Sequence, residues 1–128
     1  MTSTLSVSLS VDVMDYVDDN MLGSLYKNAA MFVMPSLYEG FGVPVLEAMS
    51  FGTPVISSFA SSLPEVGGDA CLYFDPRDET DLVEKMNLIV TSPSLRQELV
   101  KKGRERIKLF SWKTCAAQTL EVLTNVLQ

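Results

Sequence analysis

Histidine is absent from this 128-residue chain. That excludes every Ser-His or Cys-His catalytic pair, and every His-ligated metal site, built from this chain alone. Cysteine is nearly absent too: Cys71 and Cys115 lie far apart among apolar neighbours. They read as buried free thiols, with a disulfide as the alternative. Basic residues are scarce, 10 Lys and Arg against 16 Asp and Glu, for a net charge of −6. A general nucleic-acid surface is therefore not expected, because phosphate contacts need clustered cations. No apolar run approaches the roughly 20 residues that span a bilayer. The N-terminus has no basic segment followed by a continuous apolar core, so no secretory signal is expected. A cytoplasmic protein follows as the default expectation.

What is present suits one folded domain. The chain is 47% hydrophobic, which argues for a modest packed core rather than disorder. Leu5, Val7, Leu9, Val11 and Val13 alternate with small or polar residues through Met14, a strand pattern with one wet face. Asp18, Asp19 and Asn20 offer N-caps to a helix carrying Leu22, Leu25, Tyr26 and Ala29. Ala30 to Pro35 is a short apolar run, as in a strand buried on both faces. Val43 to Phe51 reads as a helix with Pro44 in its first turn and Gly52 closing it.

Further strands are expected at Thr53–Ser58 and Ala70–Phe74, with a helical turn at Leu63–Val66 between them. Helices follow from Asp78 or Thr80, from Ser92-Pro93-Ser94 and from Ser111-Trp112. The last carries Ala116, Leu120, Leu123 and Leu127 on one side. Strands alternating with helices predict an α/β fold with a mainly parallel sheet and flanking helices. Residues 95–113 are rich in Lys and Arg. They read as a solvated helix face, with acidic lipid or a partner as the alternative.

The chemistry concentrates in Ser36-Leu37-Tyr38-Glu39-Gly40-Phe41-Gly42-Val43-Pro44-Val45-Leu46-Glu47-Ala48-Met49. Ligands of open parallel sheets bind beyond the carboxyl ends of strands, and the Pro35–Gly42 loop follows one. Gly40 and Gly42 let a ligand approach the backbone, and the following helix turn has free N–H groups suited to an anion. Glu39 and Glu47 flank those amides. Two carboxylates roughly 5–10 Å apart can hydrolyse a glycoside. They can instead accept hydrogen bonds from sugar hydroxyls, the preferred reading. As structural residues they are a loop carboxylate and a carboxylate near a helix N-terminus. Phe41 is either core filler or a pocket wall.

This segment resembles the Glu-x7-Glu signature of the group 1 (family 4) glycosyltransferases, which have the GT-B architecture. Gly52-Thr53-Pro54-Val55-Ile56, Leu63-Pro64-Glu65-Val66, Gly68-Asp69-Ala70 and Phe110-Ser111-Trp112 are similar to later landmarks of that family. The resemblance runs from about residue 15 to the end. It implies a Rossmann-like domain at residues 15–128, the partial donor-nucleotide-binding domain of a GT-B enzyme, preceded by a poorly matched or added segment at 1–14. It implies retaining transfer of a hexosyl group from a nucleotide sugar to an acceptor hydroxyl. Glu39 would act at the donor sugar, as hydroxyl ligand and catalytic residue. Backbone amides of Gly40, Phe41, Gly42 and Val43 would meet sugar and phosphates, and Glu47 the ribose hydroxyls. Tyr16-Val17-Asp18 would lie near the base. No bound metal or cofactor is expected.

The family's acceptor domain, with its active-site histidine, and the Arg/Lys pair that meets the pyrophosphate are matched by no residue here. The isolated chain is therefore expected to be inactive, with the N-terminal acceptor domain as its missing partner. A sheet lacking its first strands exposes an edge, which predicts a homodimer. Alternatives of another class are a non-catalytic interaction or regulatory domain, and a flavodoxin-like or response-regulator domain.

Overall fold

A computed structural model describes residues 11–128. Six helices, α1 (Asp19–Asn28), α2 (Val43–Ser50), α3 (Leu63–Gly67), α4 (Glu79–Thr91), α5 (Pro93–Ile107) and α6 (Trp112–Val126), accompany three strands, β1 (Phe32–Met34), β2 (Val55–Ser58) and β3 (Cys71–Phe74). The strands form one parallel sheet in the order β1-β2-β3, with Phe32 beside Val55 and Val55 beside Cys71. Parallel neighbours need a crossover. Here α2 links β1 to β2, and α3 with a 3-10 turn at Gly68–Ala70 links β2 to β3. The result is the expected α/β fold.

Local chemistry explains the helix starts. The Asp18 carboxylate accepts from the Met21 amide, and Asp78 from those of Thr80 and Asp81. Ser92 and Ser111 accept from Leu95 and Thr114. Each satisfies an amide the helix cannot bond internally. Gly52, with φ +74°, follows the end of α2 in the left-handed conformation expected after a helix C-cap.

Successive residues of a strand face opposite sides, and β2 uses this fully. Val55 joins a core with Tyr26, Val45, Met49, Leu63 and Val66. Ile56 joins another with Phe74, Ile89 and Leu99. All four β2 residues are buried, so helices cover both faces, as parallel strands require.

Several expectations need correction. The alternating strand through Met14 is not formed over 11–14, which carry no strand pairing and are exposed; its earlier part lies outside the described residues. β1 is half-buried rather than buried on both faces, because it is the edge of the described sheet. Cys71 is buried, but Cys115 is exposed on α6. No residue of α6 is buried, so its apolar side with Leu120, Leu123 and Leu127 stands open among the described residues. Helical spacing selects the apolar side of a helix and says nothing about what covers it.

Candidate functional site

The two glutamates flank the turn that opens α2, Glu39 in the loop beyond the carboxyl end of β1 and Glu47 within the helix. Glu47 is on α2 itself, half-buried, and its Oε2 accepts the phenolic hydrogen of Tyr26 at 3.1 Å. Tyr26 comes from α1. Its backbone carbonyl accepts from the Thr53 hydroxyl at 2.6 Å, and its ring stacks on Phe51 and meets Phe32 edge-on. Burial, and then the neighbouring Glu47 carboxylate, push the Tyr26 hydroxyl up to about 12. It therefore stays a proton donor to Glu47 at neutral pH.

Glu39 sits in the loop after β1. Its Oε1 accepts from the Ser36 hydroxyl at 2.7 Å. The Ser36 carbonyl in turn accepts from Ser58, a buried residue at the end of β2. The Glu39 main chain is tied to the loop before α3. Its amide donates to Ser61 Oγ at 2.8 Å, and its carbonyl accepts from Ser61 at 3.1 Å and Ser62 at 2.9 Å.

Between the carboxylates the two glycines do different work. Gly42 is the N-cap of α2 with φ +105°, and a Cβ there would come within 2.5 Å of Leu63 Cδ2. It is required both by its dihedral and by close packing. Gly40 has no such dihedral, and a Cβ there would meet nothing within 4 Å. It is open backbone facing free space. Val45 already bonds the Gly42 carbonyl, and Pro44 has no N–H. The amides of Gly40, Phe41, Gly42 and Val43 donate to no other described residue. Among the described residues these four donors have no partner, and those of Gly42 and Val43 stand at the start of the eight-residue α2, where a helix end favours an anion.

Phe41 is half-exposed and packs edge-on against Phe110, 5.9 Å between centroids. Phe110 lies under the Arg106 guanidinium, which also donates to the carbonyls of Val66 and Glu65 at the end of α3. Phe41 thus packs between the loop and Phe110, beyond the end of α5, without being buried in the core. The expected base-side residues are less organised: Tyr16 is 85% exposed and Val17 half-buried.

The basic stretch divides. Lys102 pairs with Glu98 and Asp69, and Lys108 with Glu105. Arg96, Lys101 and Arg104 line an open cleft of about 660 Å³ with Ala29, Gly52 and Pro54, at the amino end of the strands. That is the opposite end from Glu39, so the cleft is not part of this site.

In the sequence Tyr26 reads only as a residue of a helix face, and Ser36, Ser58, Ser61 and Ser62 do not stand out singly. A signal was present. Ser57, Ser58, Ser61 and Ser62 crowd the carboxyl end of a strand, the edge where parallel sheets bind ligands.

The family model of glycosyl transferases group 1 matches residues 2–106. The chain belongs to that family. This group 1 glycosyl transferase chain is 46% identical over 105 residues to the O-antigen chain mannosyltransferase B of Escherichia coli, covering 82% of this chain and 28% of that protein. It is 36% identical over 126 residues to an MMP alpha-(1->4)-mannosyltransferase of Mycolicibacterium hassiacum, covering 95% of this chain and 31% of that protein. Its fold matches the sucrose-phosphate synthase of Thermosynechococcus elongatus with a TM-score of 0.76 at 33% identity, over 87% of this chain and 29% of that one. The α/β layer is thus the C-terminal part of a GT-B fold. The group 1 chain spans under a third of the length of each of these relatives.

Proposed function

We propose that this chain is the nucleotide-sugar-binding part of a retaining glycosyltransferase that moves a hexosyl group from a nucleotide donor to an acceptor hydroxyl. The observation that carries this reading is the row of four amides, Gly40 to Val43, that donate to no described residue and lie between Glu39 and Glu47 in the chain. In this reading the amides and the α2 N-terminus accept the diphosphate, where preorganised donors stabilise the charge that grows on the leaving group. Glu39 accepts hydrogen bonds from the hydroxyls of the donor sugar, and Glu47 those of the ribose, each without changing protonation state. Tyr16 and Val17 lie toward the base. A mannosyl donor is the first to test, since both curated relatives above are named mannosyltransferases.

Titration of UDP-, GDP- and ADP-sugars against the amide resonances of Gly40–Glu47 tests the site. Shifts with at least one donor are expected; none with any of them at millimolar concentration overturns the reading. The isolated chain is proposed to be inactive, because no residue here supplies an acceptor site or a basic pair for the pyrophosphate. Turnover of any nucleotide sugar by the chain alone would refute that. The proposed partners are an acceptor-binding domain and, through the edge of β1 that no described strand pairs, a second copy. Light scattering showing a clean monomer at high concentration would remove the second copy. The substrate class makes the cytoplasm the proposed location.

A further inference from the structure

We infer that Ser61 and Ser62 are positioning residues that lock the Glu39 loop, setting the carboxylate and the phosphate-facing amides in one step. The inference rests on the proposed role of Glu39 and Gly40–Val43 for its ligand, but not for its mechanics.

Ser61 has φ +44°, the positive-φ conformation among the described non-glycine residues. A side chain in that region is disfavoured and persists where its surroundings hold it. What holds Ser61 is Glu39. One hydroxyl accepts from the Glu39 amide and donates to the Glu39 carbonyl, at 2.8 and 3.1 Å. The adjacent Ser62 hydroxyl lies 2.9 Å from the Glu39 carbonyl and 3.0 Å from the Phe41 carbonyl, sharing its proton between them.

The consequence follows from peptide geometry. In a planar trans peptide the carbonyl of one residue and the amide of the next point in opposite directions. Turning the carbonyls of Glu39 and Phe41 toward Ser62 therefore turns the amides of Gly40 and Gly42 away from it. Those are two of the four free donors. Ser61 fixes the Glu39 backbone, and Ser36, bonded to Glu39 Oε1 and anchored by Ser58, fixes its carboxylate. A loop without regular structure thus holds its polar groups with the rigidity a binding site needs. The two serines share the Glu39 carbonyl, and with it the Gly40 amide, but Ser62 alone reaches the Phe41 carbonyl and so alone orients the Gly42 amide.

The test compares Ser61→Gly, Ser61→Ala and Ser62→Ala in this chain, by titrating a nucleotide sugar and the matching bare nucleoside diphosphate. Ser61→Gly is expected to fold as stably as the native chain or more so, since glycine accepts φ +44° freely. It should nevertheless bind the nucleotide sugar roughly three- to tenfold more weakly, with a smaller loss for the nucleoside diphosphate, because Ser62 still holds the Glu39 and Phe41 carbonyls. Ser61→Ala should show the same selective loss. Ser62→Ala should weaken both ligands. Native affinity for both ligands in Ser61→Gly and Ser62→Ala overturns the inference while leaving the proposed function standing. If the native chain binds neither ligand, the proposed function fails, and hydrogen exchange at the Glu39 amide decides the lock by itself. Faster exchange in Ser61→Gly supports it; an unchanged rate overturns it.

Discussion

Tyr26 donates a hydrogen bond to Glu47 across 3.1 Å, joining α1 to α2 over 21 residues of sequence. The contact orients a carboxylate that would otherwise rotate freely on an eight-residue helix. Tyr26→Phe keeps the stacking on Phe51 and the edge contact with Phe32, and removes only the donor. The loss of one such hydrogen bond is worth about 1 kcal/mol, or about fivefold in affinity. Binding of a nucleoside diphosphate, followed by amide shifts, should weaken by that factor. Unchanged affinity would show that Glu47 does not act through this contact.

The two glycines of the loop should answer to alanine in opposite ways. At Gly42 the new Cβ would face Leu63 Cδ2 at 2.5 Å, on a backbone with φ +105°. Destabilisation of about 1–3 kcal/mol is expected in urea unfolding. At Gly40 nothing lies within 4 Å, so Gly40→Ala should unfold with the native midpoint while hindering approach of a ligand to the backbone. Equal midpoints for the two variants would contradict the geometry.

Stability should fall in alkali. Burial pushes the Cys71 thiol and the Tyr26 hydroxyl up to about 12, from ordinary values of 9.0 and 10.0, and Tyr73 moves the same way. Between the ordinary and raised values the unfolded chain has released protons that the folded chain still holds. Stability therefore is fully present below about pH 9 and declines as pH rises toward 12. Urea midpoints measured from pH 7 to 11 check this. Cys71→Ser should delay the onset toward pH 10, where the tyrosines take over.

The cysteines should differ in reactivity. Cys115 is exposed and Cys71 buried with a raised pKa, and the thiolate is the reactive form. A thiol reagent counted by mass spectrometry should modify Cys115 in the folded chain and reach Cys71 only on unfolding. Two equivalents taken up at equal rates under native conditions would refute the burial of Cys71.

Much of this arrangement is readable along the chain. Ser92, Ser111 and Asp78 announce helices because a short polar side chain satisfies amides two or three residues ahead, a strictly local bond. The alternation of apolar runs with helical spacing implies a parallel layer, and Glu39 and Glu47 stand out beside a glycine turn. β1 and Cys115 are less buried than their apolar surroundings in the sequence predict, for one shared reason. Apolar character says which side of an element can be buried, while the neighbours decide whether it is.

The sequence by itself determined the element order, the caps and the place of the two carboxylates, since each depends on residues within a few positions of one another. Tertiary structure alone decided what holds them. Tyr26 reaches Glu47 from 21 positions away, and Ser61 and Ser62 reach Glu39 from 22 and 23. The serines meet Glu39 only when β1 and β2 lie side by side and bring their carboxyl-end loops together, and Tyr26 meets Glu47 only when α1 packs beside α2. No local propensity encodes that meeting; the packing of both faces of the sheet does.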